Sequence, residues 1–116
     1  MAVSVEIWHN PRCSKSRQAL ALLKDQGVTP NIRLYLKDSP SEKELRTVLD
    51  QLGMTARDIL RTGEPECLEA GVDKISDEET LITAMVQFPK LIERPIIRAG
   101  DKAILGRPPE NVLDII

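Results

Sequence analysis

The sequence predicts an α/β protein with a mixed sheet and helices on its faces. The chain opens with a strand–helix–strand pattern, continues with helical patterns, and closes with a strand–strand–helix pattern, an order that a mixed four-stranded sheet with flanking helices explains. The length of 116 residues and the mass of 13.0 kDa fit a single domain over residues 1–116. The hydrophobic fraction of 41% is typical of a soluble globular chain.

The opening third has the pattern of a β-α-β unit. Alternating apolar residues predict a strand over Val3–Trp8, and apolar residues at helical spacing predict a helix over Ser14–Gln26. Gly27 follows directly, where glycine supplies the left-handed conformation that ends a helix. A second strand is predicted over Asn31–Leu36. Strands joined in this way are expected to be parallel.

Two capping-box patterns predict where the central helices begin. Ser41 with Glu44 and Ser76 with Glu79 have the spacing at which a hydroxyl and a carboxylate satisfy each other's backbone N–H groups. Apolar residues at helical spacing follow both pairs.

The remaining elements are short. We expect a short helix over Thr55–Arg61 and a loop or broken helix over Thr62–Gly71. Strands beginning at Pro95–Ile97 and over Ala103–Leu105 flank a glycine turn and predict a hairpin. Asn111–Ile116 is predicted to be a terminal helix.

Composition excludes several classes of protein. A net charge of −2 gives no basic excess, so we expect no nucleic-acid partner. The longest apolar stretches, such as Ala19–Leu23, are too short to span a bilayer, so we expect no membrane partner. Two cysteines do not make a disulfide scaffold, and Glu6 interrupts the opening apolar run, which argues against a signal peptide. We therefore expect a cytoplasmic protein.

The chemistry-bearing segment lies between the first strand and the first helix. Cys13 should lie at the helix start, where unpaired backbone N–H groups and the helix dipole stabilise a thiolate. The nearby basic side chains are those of Arg12, Lys15, Arg17 and, when protonated, His9. The same features hold an oxyanion. Together they indicate nucleophilic attack by Cys13 on an oxyanion substrate.

Less specific interpretations exist for each of these residues. A lone cysteine is often a small buried hydrophobic residue, but Cys13 lies in a polar, basic loop. Ser16 either satisfies backbone groups in the first helical turn or hydrogen-bonds the thiolate or a substrate oxygen. His9 is equally well a strand-end residue or a functional one. With one histidine and no cysteine cluster, a zinc site is not expected.

Four separated motifs resemble the glutaredoxin-linked arsenate reductases, and in particular a short arsenate reductase-like branch of that family. They are W-H-N-P-R-C-S-K-S-R at 8–17, the region of Arg61, L-I-E-R-P-I-I at 91–97 and G-R-P-P-E-N-V-L at 106–113. They occur in the family's order and cover nearly the whole chain. The resemblance implies a thioredoxin-like fold with a helical insertion between its βαβ and ββα halves.

The resemblance also implies roles for individual residues. Cys13 corresponds to the catalytic cysteine and His9 to the histidine upstream of it, and we add Ser16 as a candidate catalytic residue. The oxyanion-binding arginines correspond to Arg61, Arg94 and Arg107. A thiolate and an anion about 4 Å apart repel each other by on the order of 4 kcal/mol at an effective dielectric constant near 20, which one arginine would roughly cancel. The fold further implies a cis peptide bond before Pro95, which would aim Arg94 into the site.

The implied reaction is the reduction of arsenate to arsenite. Cys13 attacks arsenic, glutathione attacks the adduct as co-substrate, and glutaredoxin resolves the mixed disulfide, so no metal or bound cofactor is required. Two other functions remain open. A related branch binds RNA polymerase as a redox-responsive regulator, although it typically carries C-x-x-C where this chain has Cys13 and Ser16. The other is a general glutathione-linked thiol oxidoreductase with another oxyanion substrate, or one whose arginines bind a carboxylate.

Cys67 departs from the family pattern, which commonly has an aromatic residue there. The favoured interpretation is a partly buried small side chain. A resolving thiol for Cys13 is the alternative, since sequence alone does not place two sulfurs within bonding distance.

Overall fold

The computed structural model describes residues 4–116, so Val3, the first residue of the predicted opening strand, lies outside it. The chain divides into two compact units. The first combines the chain up to Tyr35 with Arg94–Ile116, and the second is Leu36–Glu93. Within residues 4–116, no helix has the length and apolar character needed to cross a bilayer.

The first unit contains a four-stranded mixed sheet. Its strands are β1 (Val5–Trp8), β2 (Asn31–Arg33), β3 (Ile96–Ala99) and β4 (Lys102–Leu105). The spatial order is β2-β1-β3-β4, with β1 and β2 parallel and the other two pairs antiparallel. The predicted mixed sheet, parallel opening pair and closing hairpin are confirmed.

Two helices pack against one face of this sheet. Helix α1 spans Ser14–Asp25, and a 3₁₀ helix over Pro109–Asp114 replaces the terminal helix predicted for Asn111–Ile116. Gly27 adopts the expected left-handed conformation just after α1, with φ of 76°. The buried core is made of alternate strand residues and the inner helix faces: Val5, Ile7, Ala19, Leu23, Ile97, Ala99 and Val112.

Strand β2 is shorter than the predicted Asn31–Leu36. As an edge strand it pairs only with β1, which ends at Trp8 opposite Arg33. One further bond, from the His9 N–H to the Arg33 carbonyl (2.8 Å), closes the ladder. Tyr35 is buried for another reason, because its ring stacks on Trp8 with the ring centroids 6.4 Å apart.

The second unit is helical. Its α-helices are α2 (Glu42–Leu52), α3 (Glu66–Ala70) and α4 (Glu78–Gln87), and its 3₁₀ helices are Ala56–Ile59 and Pro89–Leu91. The short helix expected within Thr55–Arg61 is therefore a 3₁₀ helix, and the broken segment Thr62–Gly71 contains α3. Helices α2 and α4 contact each other through apolar faces that carry the buried residues Leu45, Val48, Leu49, Leu81, Ile82 and Met85.

One predicted capping box is confirmed. Ser41 caps α2: its Oγ accepts from the Glu44 N–H (3.1 Å), and Glu44 Oε1 accepts from the Ser41 N–H (3.0 Å). Both bonds satisfy donors that the first helical turn leaves without intrahelical partners.

The second predicted capping box, Ser76 with Glu79, is wrong by one residue. The N-cap of α4 is Asp77, whose Oδ1 accepts from the Thr80 N–H (2.8 Å). A carboxylate at a helix N-terminus also interacts favourably with the helix dipole, whereas a neutral hydroxyl lacks this charge interaction. The Ser76 hydroxyl instead accepts from the Asp73 N–H (3.0 Å) in the preceding turn.

Gly106 lies where no side chain fits. Its N–H donates to the Pro95 carbonyl (2.9 Å). An added Cβ would lie 2.7 Å from Pro95 Cγ, 3.0 Å from Ile97 Cδ1 and 3.3 Å from Ala19 Cβ. The close approach of these two backbone segments therefore depends on glycine.

We predict that Gly106→Ala lowers the free energy of unfolding by about 1–3 kcal/mol, because the added methyl overpacks the contact with Pro95. Urea unfolding measures the change. Gly63→Ala is the matched control, since nothing lies within 4 Å of its added Cβ. Equal effects of the two substitutions would contradict the packing argument.

Candidate active site

The loop after β1 places Cys13 at the start of α1. Cys13 is the N-cap residue of this helix and is 8% exposed. The Asn10 side chain accepts from the Arg12 N–H, and the Asn10 carbonyl accepts from the Cys13 N–H, both at 3.0 Å. These two bonds fold the loop, so the sulfur lies at the positive end of α1 as the sequence predicts.

Three segments of the first unit meet at this end of the sheet. In the antiparallel register Trp8 lies opposite Ile96, so the chain that leaves β1 toward Cys13 lies beside the chain that enters β3 from Arg94. Ile96 in turn lies opposite Leu105, which brings the segment after β4 to the same place. The strand register thus gathers residues that are far apart in the sequence.

The surroundings of Cys13 favour its ionised form. Burial alone raises the pKa of Cys13. The groups that lower this pKa are, in decreasing order, the backbone N–H of Ser16, the guanidinium of Arg94 and the backbone N–H of Lys15. Their combined effect outweighs burial and holds the pKa of Cys13 below its ordinary value, which increases the thiolate fraction at neutral pH.

The basic residues next to Cys13 in the sequence contribute less than expected. Arg12 and Lys15 are exposed, and Arg17 donates through Nη1 to the Pro11 carbonyl (2.8 Å). The guanidinium that acts on the sulfur belongs to Arg94, which lies two residues before β3. Arg17 therefore braces the loop that carries Cys13.

His9 and Ser16 form a buried pair. Ser16 Oγ lies 2.7 Å from His9 Nδ1 and accepts from the Asn10 N–H (3.0 Å). The Ser16 hydroxyl donates to His9 Nδ1 or accepts from it according to the imidazole tautomer. The Ser16 hydroxyl thus hydrogen-bonds with His9 and with the Asn10 N–H, whereas the Ser16 backbone N–H acts on Cys13.

His9 supplies little of the positive charge that it would carry when protonated. Its pKa is lowered below the usual value first by burial and then by the charges of Arg17 and Lys24. A side chain that is 6% exposed and close to two cations resists protonation, so the imidazole is neutral near pH 7.

The side chain of Arg107 is hydrogen-bonded to the backbone of Arg94. The Arg94–Pro95 peptide bond is cis, the geometry that the family resemblance implied, and so is the Arg107–Pro108 bond. Arg107 Nη1 donates to the Arg94 carbonyl (3.3 Å). Arg94 is half-buried and Arg107 is exposed. No sequence signal marked the second cis bond, since most X–Pro bonds are trans.

Arg61, in the second unit, is held by two carboxylates that sequence reasoning did not identify. Its Nη1 lies 2.7 Å from Glu93 Oε1, and its Nη2 lies 3.2 Å from Glu64 Oε1. Burial lowers the pKa of Arg61, but the carboxylates of Glu93 and Glu64 outweigh it and raise the pKa. In the sequence, the only indication of these ion pairs was that each glutamate lies close to an arginine of the predicted site.

Cys67 has the character of a structural thiol. It is 8% exposed, and its Sγ donates to the Arg61 carbonyl (3.4 Å). Burial raises the pKa of Cys67, as do the negative charges of Glu64, Glu66 and Asp73. These surroundings fit the favoured interpretation of a buried small side chain and disfavour a thiolate.

The mixed sheet and the cysteine at the first helix start define a thioredoxin-like protein with a cysteine of lowered pKa. Residues 8–115 match the ArsC family, and the chain belongs to that family. An arsenate reductase of Haemophilus influenzae is 43% identical over 116 residues, covering 98% of this chain and 100% of that protein. An Escherichia coli K12 protein named "Uncharacterized protein YfgD" is 50% identical over 118 residues, covering 100% and 99%. The structure of an arsenate reductase from Vibrio cholerae superposes with a TM-score of 0.93 at 46% identity, covering 100% of both chains.

We predict that Arg94→Gln raises the pKa of Cys13, because it removes a cation that stabilises the thiolate. The pH dependence of Cys13 alkylation by iodoacetamide measures this pKa. Arg98→Gln is a control of equal charge change, since Arg98 pairs with Glu6 (3.2 Å). An unchanged alkylation profile in Arg94→Gln would contradict the assigned contact.

We predict that the free energy of unfolding falls as pH decreases below about 6.5, the ordinary histidine pKa. The lowered pKa of His9 means that the unfolded chain takes up this proton more readily, so acid favours unfolding. Urea unfolding at a series of pH values measures the slope. His9→Asn should remove this contribution, and an NMR titration of the single histidine should show a pKa below the usual value.

Proposed function

We propose that this protein is a thiol-dependent arsenate reductase in which the Cys13 thiolate is the nucleophile. The observation that carries the proposal is the position of a buried cysteine at the start of α1, with a pKa that Ser16, Arg94 and Lys15 lower. An ionised sulfur is the attacking species in thiol chemistry. The arsenate reductases among the relatives support arsenate as the substrate.

We assign oxyanion binding to Arg94 and Arg107, and the same role for Arg61 rests on its place in the family motif alone. The Arg107–Arg94 hydrogen bond and the contact of Arg94 with Cys13 support the first two assignments. A guanidinium keeps its charge and matches a tetrahedral oxyanion with two parallel donors, which an ammonium group does not. Without such cations, the thiolate and the arsenate anion would repel each other.

In this proposal, the role of His9 and Ser16 is to position the nucleophile, the Cys13 sulfur. Their hydrogen bond and the bond from the Asn10 N–H hold the first turn of α1 against the loop. The Ser16 N–H then points toward the sulfur. A neutral imidazole completes this network without adding charge.

The proposed reaction consumes one glutathione per arsenate before the resolving step. The Cys13 thiolate attacks arsenic, an S–As bond forms, and an arsenate oxygen leaves as water after taking up protons. A glutathione thiolate attacks the Cys13 sulfur, so an S–S bond forms and the S–As bond breaks. Its electron pair reduces As(V) to As(III), and arsenite leaves. A glutaredoxin thiolate takes the glutathione and restores the Cys13 thiolate.

External thiols are the proposed reductants, with no bound cofactor. Ser16 stands at the position where a C-x-x-C pair would have its second cysteine. Cys67 is a poor thiolate because burial and three neighbouring carboxylates raise its pKa. Both observations support glutathione as co-substrate and glutaredoxin as partner.

We predict that Cys13→Ser reduces arsenate turnover by orders of magnitude, since a hydroxyl at this position is not ionised. The assay couples arsenate, glutathione and glutaredoxin to the oxidation of reduced nicotinamide cofactor. Cys67→Ser is the matched control and should retain turnover. Equal rates for wild type and Cys13→Ser would eliminate the reductase proposal, and undiminished turnover without glutaredoxin would eliminate that partner.

A further inference from the structure

Asn10 joins the loop that carries Cys13 to the first turn of α1 through three hydrogen bonds. Its Oδ1 accepts from the Arg12 N–H and its carbonyl accepts from the Cys13 N–H, both at 3.0 Å. Its own N–H donates to Ser16 Oγ, also at 3.0 Å. One residue therefore contacts both ends of the segment that holds the sulfur, from the N-cap to the third residue of the helix.

The local sequence specifies the turn that Asn10 begins. Proline at the second position of a turn restricts φ to the value that the turn needs, and asparagine at the first position accepts from the N–H two residues further on. Asn10 and Pro11 hold these two positions, and Cys13 holds the fourth. Because proline has no N–H, the next donor after Asn10 is that of Arg12, and the Asn10 side chain binds it.

This turn decides which backbone groups remain for the sulfur. The first N–H groups of a helix have no intrahelical acceptor. The Asn10 carbonyl takes the N–H of Cys13 itself, while the N–H groups of Lys15 and Ser16 act on the Cys13 sulfur. Ser16 Oγ is engaged by the Asn10 N–H and by His9 Nδ1. The turn at Asn10 thus sets the position of the sulfur relative to the donors that stabilise its charge.

The neutrality of the Asn10 side chain matters because aspartate would form the same turn. A carboxylate accepts from a backbone N–H more strongly than an amide oxygen does, so the turn by itself does not select asparagine. At this position, a carboxylate bound to the Arg12 N–H would add a negative charge one residue away from the peptide N–H of Cys13. That charge would oppose both the thiolate and an approaching oxyanion.

We propose that Asn10 is a positioning residue for the Cys13 nucleophile, and that its position requires a hydrogen-bond acceptor without charge. This inference deepens the proposed function, since it rests on Cys13 as the attacking group. Asn10 makes no contact with substrate in this role. It acts through the turn that places the sulfur at the start of α1.

Three substitutions separate the acceptor from its charge. Asn10→Ala removes the acceptor, and Asn10→Ser replaces it with a neutral hydroxyl, which forms such turns more weakly. Asn10→Asp keeps the acceptor and adds a charge. Alkylation of Cys13 by iodoacetamide over a pH series measures the thiolate fraction, and the coupled arsenate assay gives kcat and KM.

The three variants should differ in these measurements. Asn10→Ala should lower the thiolate fraction near neutral pH and kcat by about three- to tenfold, the factor to which one net hydrogen bond corresponds, and should leave KM for arsenate unchanged because no charge is altered. Asn10→Ser should lie between Asn10→Ala and wild type.

Asn10→Asp should retain the free energy of unfolding, lower the thiolate fraction and raise KM for arsenate. Added salt should weaken both effects, because it screens the new charge. Asn31→Asp is the matched control, since it makes the same change of charge at an exposed residue of β2 that lies opposite Glu6, near the start of β1. It should alter neither the titration of Cys13 nor KM.

Three results would overturn the inference: an unchanged titration and kcat in Asn10→Ala, a titration in Asn10→Asp equal to that in Asn10→Ser, or an equal shift in Asn31→Asp. Urea unfolding identifies effects that come from loss of structure. If Asn10→Ala does not fold, the comparison of Asn10→Asp with Asn10→Ser still decides. Alkylation needs neither arsenate nor glutathione, so shifted titrations without arsenate reduction would support the role of Asn10 while refuting the reductase proposal.

Discussion

The stabilisation of negative charge on one buried sulfur is the constraint on which the candidate active site depends. Burial of Cys13 opposes ionisation, so the protein must supply compensating groups. Two of them are backbone N–H groups, which are available only because α1 begins at Ser14. The third is the guanidinium of Arg94. Loss of the helix start or of the strand register would therefore remove the stabilisation of the thiolate as well as the local structure.

The sheet register is the second requirement, because it joins the cysteine to its cation. Trp8 pairs with Ile96, and Ile96 pairs with Leu105, so the segments before and after the hairpin end beside the loop that carries Cys13. Gly106 then lies against Pro95 through a hydrogen bond and a contact that admits no Cβ. This contact holds Arg94, which precedes Pro95, close to Arg107, which follows Gly106, and the Arg107 side chain donates to the Arg94 carbonyl.

The charges are distributed unevenly between the two units. The first has nine lysines or arginines and five acidic residues, a net charge of +4, whereas the second has seven and thirteen, a net charge of −6. The overall charge of −2 conceals this difference. A positive net charge favours the approach of anions to the first unit. In the acidic second unit, Arg61 forms ion pairs with Glu64 and Glu93.

The sequence by itself determined the features that depend on neighbours within about one helical turn. These include the strand before Cys13, the helix after it, the capping box at Ser41 and the left-handed glycine at Gly27. A capping hydroxyl and a left-handed glycine affect only residues close to them in the chain. Their effects can therefore be predicted from the order of the residues. The capping box at Ser76 failed because a second local acceptor, Asp77, competes one residue away.

Only the tertiary structure decided which groups act on one another. The cation at Cys13 comes from Arg94 and the counterion of Arg61 from Glu93, both across long sequence separations. The neutrality of His9 likewise follows from burial, which no residue beside it in the chain specifies. A pKa depends on the distance and desolvation of every nearby group, and those quantities exist only once the chain has folded.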